Sequence, residues 1–177
     1  MIYSQKYQSP IGELILNSDG ENLTALCFED GRDFDKYVNK GEEKNLPIFE
    51  ETTKWLDIYF SGRDPGFTPK YKRTDITPFR QEVIDELLKI PYGQVVTYND
   101  ISKAIAKKRG IKRMSAQAVG GAVGWNPICI IIPCHRVVGS NNSLAGYGGG
   151  IYNKLNLLKL EGIDTSKYYV PTKGTAL

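Results

Sequence analysis

The chain has 177 residues with 41% hydrophobic and 24% charged content, enough for one or two domains with cores of their own and unlike a disordered or fibrous protein. Its 23 basic and 20 acidic side chains give a formal net charge of +3, and no run of about 18 apolar residues exists to form a membrane-spanning helix. Three irregularly spaced cysteines (Cys27, Cys129, Cys134), a single histidine and no CxxC pair exclude a disulfide framework and make a structural zinc site improbable, so no metal and no cofactor is expected.

Met1-Ile2-Tyr3-Ser4-Gln5-Lys6 lacks the apolar stretch of a signal peptide, so a cytoplasmic location is expected. Ile2 to Gln8 reads as a strand, Ser9-Pro10-Ile11-Gly12 as a turn and Leu14-Ile15-Leu16 as a second strand. Asp19-Gly20 then signals a hairpin into a third strand, Leu23 to Phe28. Ile48, Thr52, Trp55, Leu56 and Tyr59 share one face of a helix predicted over 46–61. Pro65, Pro69 and few aliphatics mark the stretch beyond it, with residues 71–76 as the linker between domains.

The linker coincides with a change in the sign of charge. Residues 1–70 carry 8 basic and 13 acidic side chains, residues 71–177 carry 15 and 7. Such asymmetry fits either a nucleic-acid partner for the C-terminal part or a solvated basic face.

Thr77-Pro78 predicts a capped helix whose stripe is Phe79, Val83, Ile84, Leu87 and Leu88. Pro91-Tyr92-Gly93 ends it, Gln94-Val95-Val96 is extended, and Thr97-Tyr98-Asn99-Asp100 resembles a capping box opening a helix to about Lys107. Ser115 caps the next helix, which is built of Ala116, Ala118, Gly120, Gly121 and Ala122. Each interior glycine costs roughly 1 kcal/mol against alanine, but small residues let a backbone approach a partner closely. Two helices joined by a basic turn suggest helix-turn-helix, and Lys103, Lys107, Lys108, Arg109, Lys112 and Arg113 could meet phosphates. A core-packed helix pair with a solvated turn is the alternative.

Ile130-Ile131-Ile132 is predicted as a short buried strand delivering Pro133-Cys134-His135-Arg136-Val137. A thiolate is the reactive form of cysteine, and at a pKa near 8.5 only about 3% is ionised at pH 7. His135 can accept the proton, directly or through a water, and Glu161 can orient His135 if the C-terminal helix folds back. An inert buried cysteine beside a hydrogen-bonded histidine is equally consistent with these residues alone.

The run Ile131-Ile132-Pro133-Cys134-His135-Arg136-Val137-Val138-Gly139 resembles the O6-alkylguanine-DNA alkyltransferases, also called methylated-DNA–protein-cysteine methyltransferases. Ala118-Val119-Gly120-Gly121-Ala122, Asn126-Pro127, Gly146-Tyr147-Gly148-Gly149-Gly150 and Leu157-Leu158-Lys159-Leu160-Glu161-Gly162 carry the resemblance further. It is specific over 76–163 and looser before, where Ser9-Pro10-Ile11-Gly12 is also similar. The resemblance implies an α+β protein. Residues 1–70 would form a small ribonuclease-H-like α/β domain and residues 77–163 a helical winged-helix or helix-turn-helix domain, with 164–177 a mobile tail without an assigned role. The implied partner is double-stranded DNA containing O6-alkylguanine, with O4-methylthymine as a further substrate, bound by a monomer with no role at a membrane.

The implied reaction is irreversible, single-turnover transfer of the alkyl group to Cys134 after the base has flipped. His135 would polarise Cys134 through a water, Glu161 would orient His135, and Asn126 would brace the turn. Tyr98 would donate to a ring nitrogen or crowd the adjacent phosphate, and Tyr147 would form the pocket wall, with the Gly148 amide facing O6. Carbonyls near Cys134 and Val137 would read the exocyclic amine, and Arg136 would serve structural pairing. Ser115, Ala116, Gln117, Ala118, Gly120 and Gly121, with Lys112 and Arg113, would meet DNA, the small residues (Ala122 included) fitting a minor groove about 6 Å wide. Gln117 departs from the family, many of whose members have an arginine there to fill the gap left by the extruded base, and so implies a neutral wedge. Cys129 reads as a buried core residue. The rivals are a lesion binder without transfer, against which the intact Pro-Cys-His-Arg argues, and a thiol hydrolase, which would leave the basic small-residue helix unexplained.

Overall fold

The computed structural model describes residues 1–74, 76–144 and 146–171, and its chain divides into two compact units. Residues 1–75 and 127–131 form the first, residues 76–126 and 132–177 the second.

The first unit begins with β1 (Tyr3–Ser9), β2 (Gly12–Ser18) and β3 (Leu23–Phe28), an antiparallel meander set by two tight turns. Ser9 Oγ holds the first turn by donating to Gly12 O and accepting from Ile11 N. Asp19 Oδ1 accepts from the Glu21 and Asn22 amides in the second. A short helix α1 (Phe34–Tyr37) and a two-residue strand β4 (Glu42–Glu43) follow, neither evident from sequence pattern. The sheet order is β3-β2-β1-β4, with β4 parallel to β1. Helix α2 (Pro47–Phe60) packs on β1, β2 and β3 and buries Ile48, Phe49, Thr52, Trp55, Leu56 and Tyr59, the stripe its spacing predicts plus Phe49. Each large apolar side chain so buried contributes about 2 kcal/mol, and Trp55 stacks on Tyr59 at 5.3 Å.

Residues 127–131 interrupt what the sequence presents as one continuous domain over 77–163. They join the first unit's sheet beside β3: Leu26 N donates to Pro127 O (2.8 Å) and Cys129 N to Leu26 O (2.9 Å), a parallel bridge between Leu26 and Ile128. Cys129 is buried there, as its surroundings in the sequence suggest. The predicted strand Ile130-Ile131-Ile132 does not form. Ile131 N donates back to Cys129 O (2.7 Å) across Ile130, whose φ is +68°, so the three isoleucines turn instead of extending. Positive φ is strained for a β-branched residue, and nothing in an isoleucine run announces it.

The second unit is helical. Helix α3 (Pro78–Leu87) starts at Thr77, whose hydroxyl accepts from Arg80 N. It buries Val83, Ile84 and Leu87 and leaves Phe79 half-exposed, while Leu88 is 45% exposed and lies outside the stripe because the helix has ended. Strand β5 (Val96–Thr97) leads into α4 (Tyr98–Arg109), opened by the reciprocal Thr97–Asp100 capping box and closed by left-handed Gly110. Helix α5 (Ala116–Gly124) is capped by Ser115, whose hydroxyl accepts from Ala118 N, and it packs on α3 and α4 through Val119, Ala122 and Val123. Next come a 3-10 turn at Cys134–Arg136, β6 (Val137–Val138) and α6 (Ile151–Leu160). Val138, Leu144 and Leu158 form an apolar cluster covered in part by Ile163, Tyr168 and Val170.

That cover corrects the expectation of a mobile tail from residue 164. Leu144 N donates to Tyr169 O and Tyr169 N to Asn142 O, both at 3.0 Å, so residues 168–170 are tied to the unit by backbone and side chain alike. Residues 172–177 of the expected tail, and Asp75 of the linker, lie outside the described residues. The molecule is thus mixed α+β, with a small N-terminal sheet unit and a helical C-terminal one. Among the described residues no helix is long and apolar enough to cross a membrane.

Candidate active site

Cys134 lies in the second unit at the start of the 3-10 turn, 5% exposed, and the local hydrogen bonds explain why the turn holds there. Cys134 N donates to Ile132 O (2.8 Å) across Pro133, whose ring favours the negative φ required. Asn126, at the end of α5, sends its amide nitrogen to Ile132 O (3.1 Å) and to Cys134 Sγ (3.0 Å). One buried side chain therefore fixes the backbone before Cys134 and gives its sulfur an N–H donor, which favours the anionic form.

His135 is fully buried, and its Nε2 is 2.5 Å from Glu161 Oε2. Glu161 sits at the C-terminal end of α6 and has three donors: His135 on Oε2, and Arg136 Nε (2.8 Å) and Gly93 N (2.9 Å) on Oε1. Burial opposes ionisation of this carboxyl, but the hydrogen bonds and charges of His135 and Arg136 outweigh it and bring its pKa down to about 2. Burial pushes the His135 pKa below its usual value despite the carboxylate beside it, and nearby Arg136 and Lys154 add to that push. We assign a charged Glu161 and a neutral His135, because the permanent Arg136 guanidinium already balances the carboxylate. Arg136 also donates to Ile90 O (2.8 Å) and lies 5.7 Å from the Tyr92 ring centroid. Its structural pairing, expected from the motif, is what the side chain shows.

Strands β5 and β6 bring Tyr98 to this turn. Val96 pairs with Val137 and Thr97 with Val138, so the residue opening α4 enters beside the residues following Arg136. The Tyr98 hydroxyl abuts Gly146, where a Cβ would come within 2.6 Å of it and where φ is +93°; both the space and the backbone demand glycine. The Tyr147 ring centroid is 6.4 Å from that of His135, and the same ring fills the space where a Cβ on Gly149 would stand. Gly148 is half-buried in the turn between them.

Lys154 was not evident as a site residue. It is fully buried on α6, with Nζ donating to Val137 O (2.5 Å) and lying 5.8 Å from the Tyr98 ring centroid. Burial lowers its pKa to about 8, and the charge of Cys134 acts in the opposite direction. Lys154 falls three and four residues before Leu157 and Leu158, on the buried face of α6, where its residue type argues against burial.

The expected DNA-facing residues form a separate set. Ser115, Ala116, Gln117, Ala118 and Gly121 are exposed along α5, and Gly120 is half-buried. Ala122 is buried against the unit's core, so it does not belong to the groove-facing set. Lys112 and Arg113 are exposed in the turn before α5 and line a cavity of about 530 Å³ with Lys103 and Lys107. Arg109 is instead paired with Glu82. Among the described residues no group of three or more His, Cys, Asp or Glu side chains could hold a metal ion.

A sheet unit, a helical unit exposing a small-residue helix, and a buried cysteine braced beside a His–Glu pair define a protein of the DNA-alkyltransferase class. Residues 78–163 match the family model "6-O-methylguanine DNA methyltransferase, DNA binding domain", and residues 2–69 match "6-O-methylguanine DNA methyltransferase, ribonuclease-like domain". The chain belongs to the methylated-DNA–protein-cysteine methyltransferase family. Relatives of that name include the Haemophilus influenzae protein, 36% identical over 92% of this chain and 87% of that protein. The Methanosarcina acetivorans protein is 38% identical over 91% and 99%. Among solved structures, Mycobacterium tuberculosis O6-methylguanine methyltransferase is similar with a TM-score of 0.74 and 35% identity, over 98% of this chain and 97% of that one. The Mycobacterium tuberculosis OGT in complex with DNA is similar with a TM-score of 0.72 and 36% identity, over 94% of each chain.

Proposed function

We propose that this chain repairs O6-alkylguanine, and O4-methylthymine beside it, in duplex DNA by moving the alkyl group irreversibly to Cys134 Sγ, once per molecule. The observation that carries the reading is the sulfur held 3.0 Å from Asn126 Nδ2 beside a neutral histidine oriented by Glu161. His135 accepts the thiol proton through a water. The thiolate attacks the alkyl carbon, an S–C bond forms, the C–O6 bond breaks with its electron pair passing to O6, and the proton is returned to the base. Tyr98 donates to a ring nitrogen of the flipped base and eases departure of the guanine anion. Tyr147 walls the pocket, the Gly148 amide meets O6, and carbonyls near Cys134 and Val137 accept from the exocyclic amine.

Helix α5 enters the minor groove by its exposed small residues, Ser115, Ala116, Ala118, Gly120 and Gly121. Gln117 fills the gap left by the base, and Lys112 and Arg113 meet the phosphates. The sheet unit is ribonuclease-H-like and the helical unit winged-helix, in a monomer of the cytoplasm. Mass spectrometry of the protein after incubation with a duplex containing O6-methylguanine tests this directly. A methyl-sized gain on the peptide holding Cys134, absent in Cys134→Ser, is the expected result. Tight binding without a mass change would make the chain a lesion binder instead, and repeated turnover on an ester would make it a hydrolase.

A further inference from the structure

Lys154 has no part in the scheme above, yet it places an amino group in the interior, against the reacting turn. Helix α6 packs on the Cys134–Arg136 turn, and Lys154 Nζ is anchored there on Val137 O, one residue beyond it. Val137 N in turn donates to Cys134 O, so the ammonium is held one hydrogen-bonded turn from the backbone of the reacting residue. Burying an ammonium costs several kcal/mol unless an anion or strong acceptors compensate it. A carbonyl oxygen and the face of Tyr98 are among the groups that offset that cost.

Other ionisable groups stand around the same turn. From the turn come Cys134, His135 and Arg136, from the end of α6 Glu161, from α4 Tyr98, and from the 146–149 loop Tyr147. Arg136 and Glu161 share a hydrogen bond and their charges offset each other. His135, hydrogen-bonded to Glu161 and buried, is neutral. An ionised Cys134 sulfur acts on Lys154 against the effect of burial and favours its ammonium form.

We propose that Lys154 is a positioning residue for alkyl transfer, a fixed counter-cation that favours the Cys134 thiolate over the thiol. The inference rests on Cys134 being the acceptor. No proton moves to or from Lys154; its contribution is the field of a charge held in place by Val137 O. Once the sulfur has become a neutral thioether, the ammonium loses that compensation and gives up its proton more readily.

The test uses iodoacetamide, so it does not depend on DNA or on repair. The rate of alkylation at Cys134 is followed by peptide mass spectrometry from pH 6 to 10 in the parent and in Lys154→Met, which keeps length and removes charge. The expected result is a loss of about tenfold at pH 7 that disappears by pH 10, since one unit of thiol pKa is a tenfold change in thiolate. A loss equal at every pH, or no loss, overturns the proposal. Should Lys154→Met fail to fold, the parent alone decides by NMR titration of the Lys154 side chain before and after methylation of Cys134. A midpoint that falls on methylation supports the pairing, and an unchanged midpoint refutes it. A parent that reacts with iodoacetamide as expected but gains no methyl group from damaged DNA would sink the repair reading instead.

Discussion

Two regions of the second unit contrast in how tightly they are specified. Around Cys134 the polar side chains make buried, directional contacts: Asn126 on the sulfur, His135 and Arg136 on Glu161, Lys154 on Val137 O. Along the outer face of α5 the residues are small and exposed, and the longer Gln117 is exposed with them. The first region is built of side chains that fix one another, whereas the second is an open surface of small residues. Chemistry that depends on a charge state needs a rigid, water-poor surround; entry into a narrow groove needs the removal of bulk.

Substitutions should therefore separate the two regions sharply. Glu161→Gln should have the largest effect, because it breaks a buried pair and leaves the Arg136 guanidinium uncompensated. A loss of about 3–5 kcal/mol in urea denaturation is expected, together with loss of transfer. The same carboxyl sets an acid limit. Its folded pKa lies below the unfolded value, so its stabilising contribution is present above about pH 4.5 and is lost as pH falls toward 2. Thermal melting between pH 6 and 2 should show the decline, and the decline should vanish in Glu161→Gln.

On the α5 side, replacing the exposed Gln117, Lys112 or Arg113 should barely change fold stability while DNA work suffers. Gln117→Ala should slow repair of duplex DNA by about tenfold, the loss of one positioned polar group, and leave the reaction with free O6-benzylguanine nearly unchanged; equal losses in both assays would refute the wedge role. Replacing Lys112 and Arg113 by alanine should weaken duplex binding and reduce the salt dependence by about 0.9 per lost phosphate contact, read from binding isotherms at several salt concentrations. Ser115→Ala should be mildest, costing about 1 kcal/mol of stability through its cap on the Ala118 amide.

The same contrast explains what could be read from the sequence. Helix starts were legible because Thr77, Thr97, Asp100 and Ser115 act within three residues of themselves, and each makes the cap its position implies. The strands of the meander were legible through alternation and turn residues. Cys134, His135 and Glu161 stand out in a specific motif, and the structure joins His135 to Glu161 directly behind Cys134 in the chain. Three features were hidden. The isoleucine run reads as a strand because it is apolar and β-branched throughout, and its reversal at Ile130 has no compositional mark. Lys154 and Ala122 sit on faces whose burial depends on neighbouring elements, not on residue type. Segment 164–171 looked featureless because its order comes from Asn142 and Leu144.

The crossing of residues 127–131 into the first unit's sheet means that severing the chain at its linker would not yield two intact halves. A fragment beginning near residue 76 would carry Ile128, Cys129 and Ile130, all buried here, without the strand edge that hydrogen-bonds them, four residues ahead of the nucleophile. Such a truncated version should be sticky and poorly behaved even though it retains every residue assigned to the chemistry.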